Sequence, residues 1–133
     1  MTNDDLCFLS IAELGLLMRA RTISPVEVTE AHITRIERLN PTLNAFVTVM
    51  GNGAREAARR AEAELAAGRW RGPLHGVPIG VKDIFDTADV RTTNGSSFYS
   101  DHVPTEDAHS VRRLKDAGAV LIGKCNTHEF AAG

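Results

Sequence analysis

Two stretches within the first forty residues combine a helix-start signal with an apolar stripe. Ser10 and Ser24 are each followed three residues later by a glutamate, which is the capping-box pattern that satisfies the free N–H groups at a helix start. Apolar residues at helical spacing follow each box, and Pro25 occupies the first helical position, where no N–H is needed. We predict a helix after each box, the second ending at Asn40-Pro41.

The remaining chain alternates between β-rich and helical patterns. Strands are predicted at 46–49, 77–82 and 119–122, the last being an uninterrupted apolar run typical of a strand covered on both faces. Helices are predicted at 52–67, ending at Gly68, and from a cap at Asp107 to about Ala117. This alternation favours an α/β fold built around a mixed sheet with helices on its faces.

Composition and charge exclude several classes of function. The formal charge is −2 and no basic run exceeds a pair of residues, so we expect no nucleic-acid surface and no membrane patch. The acidic start does not resemble a signal peptide, and no apolar run is long enough to span a membrane. We therefore expect a cytoplasmic protein. Cys7 and Cys125 are expected to be buried free thiols rather than a disulfide.

The strand at 77–82 carries the first candidate for chemistry. With a period of two, its valine and isoleucine residues share one face, and Pro78, Gly80 and Lys82 share the other. A glycine inside a strand often marks the close approach of another segment. We therefore predict that Lys82 leaves the strand end beside a gap that another segment fills, at the edge where α/β sheets collect ligand sites.

Three interpretations of Lys82 are open from its position alone. A lysine that acts as a general base must be neutral, which requires a pKa well below the ordinary value of about 10.4. Burial and hydroxyl partners lower a lysine pKa in this way. A neutral lysine can instead attack a carbonyl and form a Schiff base. The simplest alternative is that Lys82 forms an ion pair with Asp83 or Asp86.

Other patterns are weaker signals. The hydroxyl-rich run 92–97 is explained mainly by a turn at Asn94-Gly95. Gly118–Lys124 imitates a phosphate-binding loop, but its middle residues are the predicted strand and Cys125 replaces the Ser or Thr that would hold magnesium. Cys125 and His128 lack a second Cys/His pair to complete a zinc site. No metal and no organic cofactor is expected.

Several separated motifs, in order, resemble one known family. The segment Gly-Pro-Leu-His-Gly-Val-Pro-Ile-Gly-Val-Lys-Asp-Ile-Phe-Asp, residues 72–86, resembles the segment of amidase-signature enzymes that presents their catalytic lysine. Similar likenesses occur at 24–27, 38–46, 92–96, 107–113, 117–126 and 129–133. The resemblance spans nearly the whole chain.

The resemblance implies an enzyme that cleaves carboxylic amides with a Ser–Ser–Lys triad. One serine attacks, and a second relays the proton between that nucleophile and the lysine. Carried over, Lys82 is the general base, and Asp83 holds the strand exit. The implied substrate is a small-molecule amide, which reacts through an acyl-serine, and the implied fold is the amidase-signature fold.

The family's Gly/Ser-rich segment, which carries both serines, is missing from this sequence. We expect it beyond Gly133, since the chain ends directly behind an apolar segment, as an incomplete domain would. Residues 1–133 are then the N-terminal part of a single amidase domain, helical over 1–70 and with a lysine-bearing α/β core over 71–133. We expect this part to be inactive alone and Lys82 to stay protonated in it. Ser96 and Ser97 do not replace the missing serines.

Alternatives from different classes remain open. They are the amidase subunit of a tRNA-dependent amidotransferase, a lyase or aldolase that uses Lys82 as a Schiff-base amine, and a non-catalytic α/β interaction module. A general amidase is favoured over the amidotransferase subunit, because nothing in this stretch indicates a tRNA or partner-subunit surface. Homo-oligomerisation is also open.

Overall fold

The computed structural model describes residues 1–133, in which three helices precede a small mixed sheet. Its elements are α1 (Asn3–Phe8), α2 (Ile11–Arg19), α3 (Pro25–Leu43), β1 (Phe46–Val49), α4 (Gly51–Ala66), β2 (Pro78–Lys82), α5 (His109–Asp116) and β3 (Val120–Cys125). Short 3₁₀ turns lie at Ser97–Tyr99 and Glu129–Ala131. The α/β class predicted from the sequence is confirmed.

Both predicted capping boxes are present and start α2 and α3. In each, the hydroxyl of Ser10 or Ser24 accepts a hydrogen bond from the N–H of the glutamate three residues on, at 3.2 and 3.1 Å. A third box, formed by Thr2 and Asp5, starts α1. This third box was not predicted, because aspartate takes the place of the usual glutamate or glutamine.

The predicted end of α3 at Asn40-Pro41 is wrong. The helix includes Pro41 and continues to Leu43, and Asn44 caps it in the left-handed conformation with φ 50°. The Asn40 side chain explains the extra turn: its amide donates to the Phe46 carbonyl and accepts from the Phe46 N–H, both at 2.9 Å. This two-bond bridge ties the last turn of the helix to the start of β1.

The prediction that Asp107 caps α5 is also wrong. The capping position belongs to Ala108, which makes no side-chain cap bond. The Asp107 carboxylate instead accepts from the Ala88 N–H at 2.8 Å and pairs with the Lys115 ammonium at 2.8 Å. These two partners hold the carboxylate away from the helix start.

The central strand of the sheet is β3, with β1 antiparallel on one side and β2 parallel on the other. This order confirms the predicted mixed sheet. The parallel pair runs from Pro78 opposite Val120 to Lys82 opposite Cys125. Residues 120–124 of β3 are all buried, as predicted for a strand covered on both faces.

Helices cover β3 from two sides. Val120 and Ile122 cluster with buried residues of α3 and α4, whereas Leu121 clusters with Val81 of β2 and Val111 of α5. A separate cluster joins α1, α2 and α3 to the start of β2. Burying these side chains is the main stabilisation of such a fold.

The gap predicted beside Gly80 is filled by Cys125 and Phe46. A Cβ at Gly80 would lie 2.6 Å from Cys125 Sγ and 3.3 Å from the Phe46 ring. A Cβ at Gly123 would lie 2.6 Å from the same ring. The two glycines therefore allow the ring to lie directly against the sheet backbone.

The longest helix is α3, with 19 residues, and it carries charged side chains along its length. No helix of the chain has both the length and the apolar character that a bilayer crossing requires.

Candidate active site at the carboxyl edge of the sheet

The carboxyl ends of β2 and β3 lie at one edge of the sheet, because the two strands run parallel. Lys82 ends β2 and Cys125 ends β3, and the two residues are partners in the last rung of the ladder. The segments that follow the strands also meet there, since the Phe130 N–H donates to the Asn94 carbonyl at 2.7 Å. This edge is where ligand sites form in α/β sheets.

Lys82 lies at the predicted strand end and its side chain is exposed. The alternative in which it pairs with a neighbouring carboxylate is wrong. Asp83 is 3.5 Å from Lys124 instead, and Asp86 is 3.7 Å from His102. The Lys82 amine is therefore free of any carboxylate that would hold it in place.

Asp83, the next residue, is fully buried and bonded on several sides. Its N–H donates to the Cys125 carbonyl at 2.9 Å, and its carbonyl accepts from the Asn94 N–H at 2.8 Å. Its Oδ2 accepts from the Thr93 N–H at 3.1 Å and from the Thr93 hydroxyl. Asp83 thus joins the strand exit to the loop at residues 92–94.

A second lysine reaches this edge from β3. The Lys124 side chain is fully buried, and its Nζ donates to the Phe85 carbonyl at 2.8 Å and to the Thr92 hydroxyl at 2.7 Å. Burial lowers the pKa of Lys124, and the Asp83 carboxylate opposes that shift. Sequence reasoning placed Lys124 only within the phosphate-loop imitation and the family likeness at 117–126, without assigning it a role. The signal it missed was a lysine inside an otherwise apolar, buried strand.

The loop between β2 and α5 contains the predicted Asn94-Gly95 turn. The Ser96 N–H donates to the Thr93 carbonyl at 2.9 Å, and both central residues have positive φ, 54° and 68°. A Cβ at Gly95 would lie 2.9 Å from carbonyl oxygens of residues 127 and 128. Glycine is therefore required there both for its φ and for the close approach of the segment after β3.

Side chains on either side of this contact link the two segments further. The Ser96 hydroxyl, which is buried, donates to Glu129 at 2.8 Å. The rings of Tyr99 and Phe130 meet edge to face at 5.9 Å. Phe98 and Phe130 are nevertheless 87% and 52% exposed. The hydrogen bond from Ser96 to Glu129 thus adds a side-chain link between the loop after β2 and the segment after β3.

The remaining sequence patterns are structural. Residues 120–122 of the phosphate-loop imitation lie in β3, as predicted, and the strand continues through Gly123 and Lys124 to Cys125. Cys7 and Cys125 are free, half-buried thiols whose pKa values are raised by burial. No group of three His, Cys, Asp or Glu side chains comes together around Cys125 and His128 or elsewhere.

A cleft of about 550 Å³ between α4 and the loop at 88–90 does not include Lys82. Among the charged side chains that line it, Arg71 pairs with Glu64 and Lys115 pairs with Asp107, whereas Glu56, Arg60 and Asp89 form no ion pair. The carboxyl edge of the sheet, and not this cleft, therefore carries the chemical candidate.

Comparisons with known proteins show which family this chain resembles. The family model described as Amidase matches residues 27–133. A glutamyl-tRNA(Gln) amidotransferase subunit of Azoarcus sp. is 49% identical over 124 residues, and an amidase of Pseudomonas putida is 44% identical over 125 residues. These matches cover 93% and 94% of this chain. The native peptide amidase of Stenotrophomonas maltophilia superposes with a TM-score of 0.87 at 36% identity, over 92% of this chain.

The chain covers only 25% and 26% of the two sequence relatives and 26% of the peptide amidase. It thus spans about a quarter of the length of the proteins that it matches. Within that quarter, the likeness extends over both strands that form the carboxyl edge. The chain belongs to the amidase-signature family.

Proposed function

We propose that Lys82 is the general base of a Ser–Ser–Lys amide hydrolase whose two serines lie outside these 133 residues. The observation that carries this proposal is the position of Lys82. It is the last residue of a parallel strand at the sheet edge, it is exposed, and no carboxylate binds it. The residues around it are those matched by the amidase family.

The chemistry follows from a free amine at that edge. One serine attacks the amide carbonyl carbon, and its hydroxyl proton passes through the second serine to the neutral Lys82 amine. The proton then passes to the leaving nitrogen, the C–N bond breaks, and ammonia or an amine departs. Water next attacks the acyl-serine and gives up a proton by the same route to Lys82. The ester C–O bond then breaks, the serine oxygen takes that proton back, and the carboxylic acid departs.

Within this proposal, residues 1–133 contribute one part of a single amidase domain. Members of a catalytic triad act as a unit, so the lysine alone gives negligible catalysis. Ser96 does not substitute for a missing nucleophile, because its hydroxyl is bound to Glu129. We therefore expect the isolated 133-residue chain to hydrolyse no amide. Its cytoplasmic location and its state of oligomerisation are further predictions.

A second function is favoured by one observation. The identity to the amidotransferase subunit of Azoarcus sp., 49%, exceeds the 44% identity to the Pseudomonas putida amidase. The chain would then belong to an amidotransferase subunit that performs the same amide cleavage. Hydrolysis of glutamine but of no other carboxamide would favour this alternative.

The test uses the product of the natural gene, expressed to its own stop codon. We expect ammonia release from a panel of short aliphatic carboxamides, a C-terminal peptide amide and glutamine. Mass spectrometry should detect the acyl group on a serine after acid quenching. Borohydride trapping of a carbonyl substrate on Lys82 would instead support a Schiff-base enzyme. A stop codon directly after codon 133, with a stable product and no hydrolysis, would support an interaction module.

A further inference from the structure

Lys124 is the only buried lysine or arginine side chain in the chain, and all its polar contacts go to one segment. Its Nζ binds the Phe85 carbonyl and the Thr92 hydroxyl and lies 3.5 Å from Asp83 Oδ1. These partners all belong to residues 83–92, the segment that leaves β2 immediately after Lys82. A single buried ammonium therefore holds both ends of that segment.

A buried charge is expensive, which makes its presence informative. A methionine or leucine would fill the same volume without the desolvation penalty, and such replacements of buried ion pairs are often neutral or stabilising. The penalty at Lys124 is opposed by the Asp83 carboxylate and by two hydrogen bonds. The ammonium supplies hydrogen-bond donors, which an apolar side chain lacks. These donors fix the Phe85 carbonyl and the Thr92 hydroxyl.

The geometry connects these contacts to Lys82. Asp83 is bonded through its N–H to β3, through its carbonyl to Asn94 and through its carboxylate to Thr93. The peptide that joins Lys82 to Asp83 is thus fixed, although the Lys82 side chain itself has no partner. Fixing that peptide fixes the direction in which the Lys82 side chain leaves the strand.

We propose that Lys124 is a positioning residue for Lys82, acting through the Asp83 peptide and the Phe85 carbonyl. The inference rests on the proposed role of Lys82 as the base. A base must lie within hydrogen-bond reach of the proton that it accepts, and a displacement of about 1 Å lowers rates roughly a hundredfold. Lys124 would not touch substrate.

The structural test uses the product of the natural gene and four variants, one of which is Asp83→Asn alone. Lys124→Met removes the donors but leaves Asp83 as an unpaired buried carboxylate. The double variant Lys124→Met/Asp83→Asn removes that carboxylate as well, so it remains informative if the single variant does not fold. Lys115→Met is the matched control, since it removes a lysine that pairs with Asp107 away from the strand edge.

Amide hydrogen exchange distinguishes two roles of Lys124, one in which it fixes the Asp83 peptide and one in which it only neutralises the Asp83 carboxylate. Compared with Asp83→Asn alone, the double variant should raise exchange at the amides of residues 83 and 94 at least about tenfold, a local opening, while amides of α3 and α4 keep wild-type rates. In Lys115→Met the Asp83 and Asn94 amides should be unchanged. Exchange at both amides no faster in the double variant than in Asp83→Asn alone would overturn the proposal, because Lys124 would then only neutralise Asp83.

The kinetic test uses the natural gene product. We expect the double variant to lower kcat by about 10- to 100-fold with little change in KM, as for a misplaced base. Wild-type kcat in the double variant, together with loss of activity in Lys82→Ala, would overturn the positioning role and leave the proposed function standing. Full activity in Lys82→Ala would instead refute the proposed function, whereas the exchange result would still report on the Asp83 peptide.

Discussion

Lys82 and Cys125 are partners in the last rung of the parallel ladder, so Lys124 pairs with Val81, the residue before the proposed base. Successive side chains of a strand point to opposite faces of the sheet. Lys82 therefore shares the face of Gly80 and Cys125, whereas Lys124, the partner of Val81, lies on the opposite face, where its side chain is buried. This difference of one residue separates an exposed amine from a buried structural ammonium at the same edge.

Because Lys82 is exposed and Lys124 is buried, we expect chemical modification to distinguish the lysines of this chain. The chain has three lysines, at 82, 115 and 124. Under native conditions, reductive methylation should modify Lys82 and the partly exposed Lys115 but not Lys124. In denaturant all three should react. Peptide mass spectrometry measures the outcome, and native modification of Lys124 at the rate of Lys115 would show that its burial is wrong.

Gly123→Ala should destabilise the fold by about 1–3 kcal/mol, as overpacking a well-packed site does. The new Cβ would lie 2.6 Å from the Phe46 ring and 2.7 Å from the Thr48 carbonyl oxygen, and backbone cannot move aside cheaply. Gly53→Ala is the control, because no atom lies within 4 Å of its Cβ position. As a helical site it should gain about 0.5–1 kcal/mol. Urea unfolding measures both, and equal stability of the two variants would contradict the packing of Phe46.

Asp107 should make stability depend on pH in the acid range. Burial tends to raise its pKa, but the Lys115 ammonium and the Ala88 N–H outweigh this effect, so the folded pKa lies below the ordinary value of 3.8. A carboxyl whose pKa is depressed on folding stabilises the protein above its unfolded pKa and loses that contribution as pH falls through the folded pKa. We expect Asp107→Asn to lower stability by about 1 kcal/mol at pH 7, given one partly exposed partner.

The size of that difference should shrink as pH falls below 3.8. Denaturant unfolding at several pH values measures it, with the exposed Asp101→Asn as control. A difference that grows towards acid would reverse the expected sign and contradict the assigned contacts of Asp107.

Ser24→Ala should destabilise the fold by about 1 kcal/mol, because it removes the hydroxyl that accepts from the Glu27 N–H at the start of α3. Ser110, an exposed serine of α5 with no side-chain hydrogen bond, gives the matched control Ser110→Ala. Thermal unfolding should separate the two variants by several degrees. Identical midpoints would mean that the Ser24 box contributes nothing to α3.

Elements with local signals could be predicted from the sequence, and elements decided by distant partners could not. The boxes at Ser10 and Ser24 lie within four residues, so their outcome depends on little else. The end of α3 depends on the Asn40 side chain meeting the backbone of Phe46, six residues away. The Asp107 carboxylate accepts from the N–H of Ala88, nineteen residues earlier, and therefore does not cap the helix.

The same distinction applies to the candidate site. Period-two alternation places Lys82 at a strand end, and the structure has it there. The partners of Lys124 could not be predicted, since Phe85 and Thr92 lie 39 and 32 residues away along the chain. The segment at residues 85–92 reaches Lys124 of β3 only because β2 pairs with β3.

The most direct test of the central claim is the turnover of Lys82→Ala in the product of the natural gene, with Lys115→Ala as the matched control. A general base in a triad whose members act as a unit predicts a loss in kcat of at least about a thousandfold in Lys82→Ala. Lys115→Ala should retain the wild-type rate. Wild-type amide hydrolysis by Lys82→Ala would contradict the assignment of Lys82 as the base.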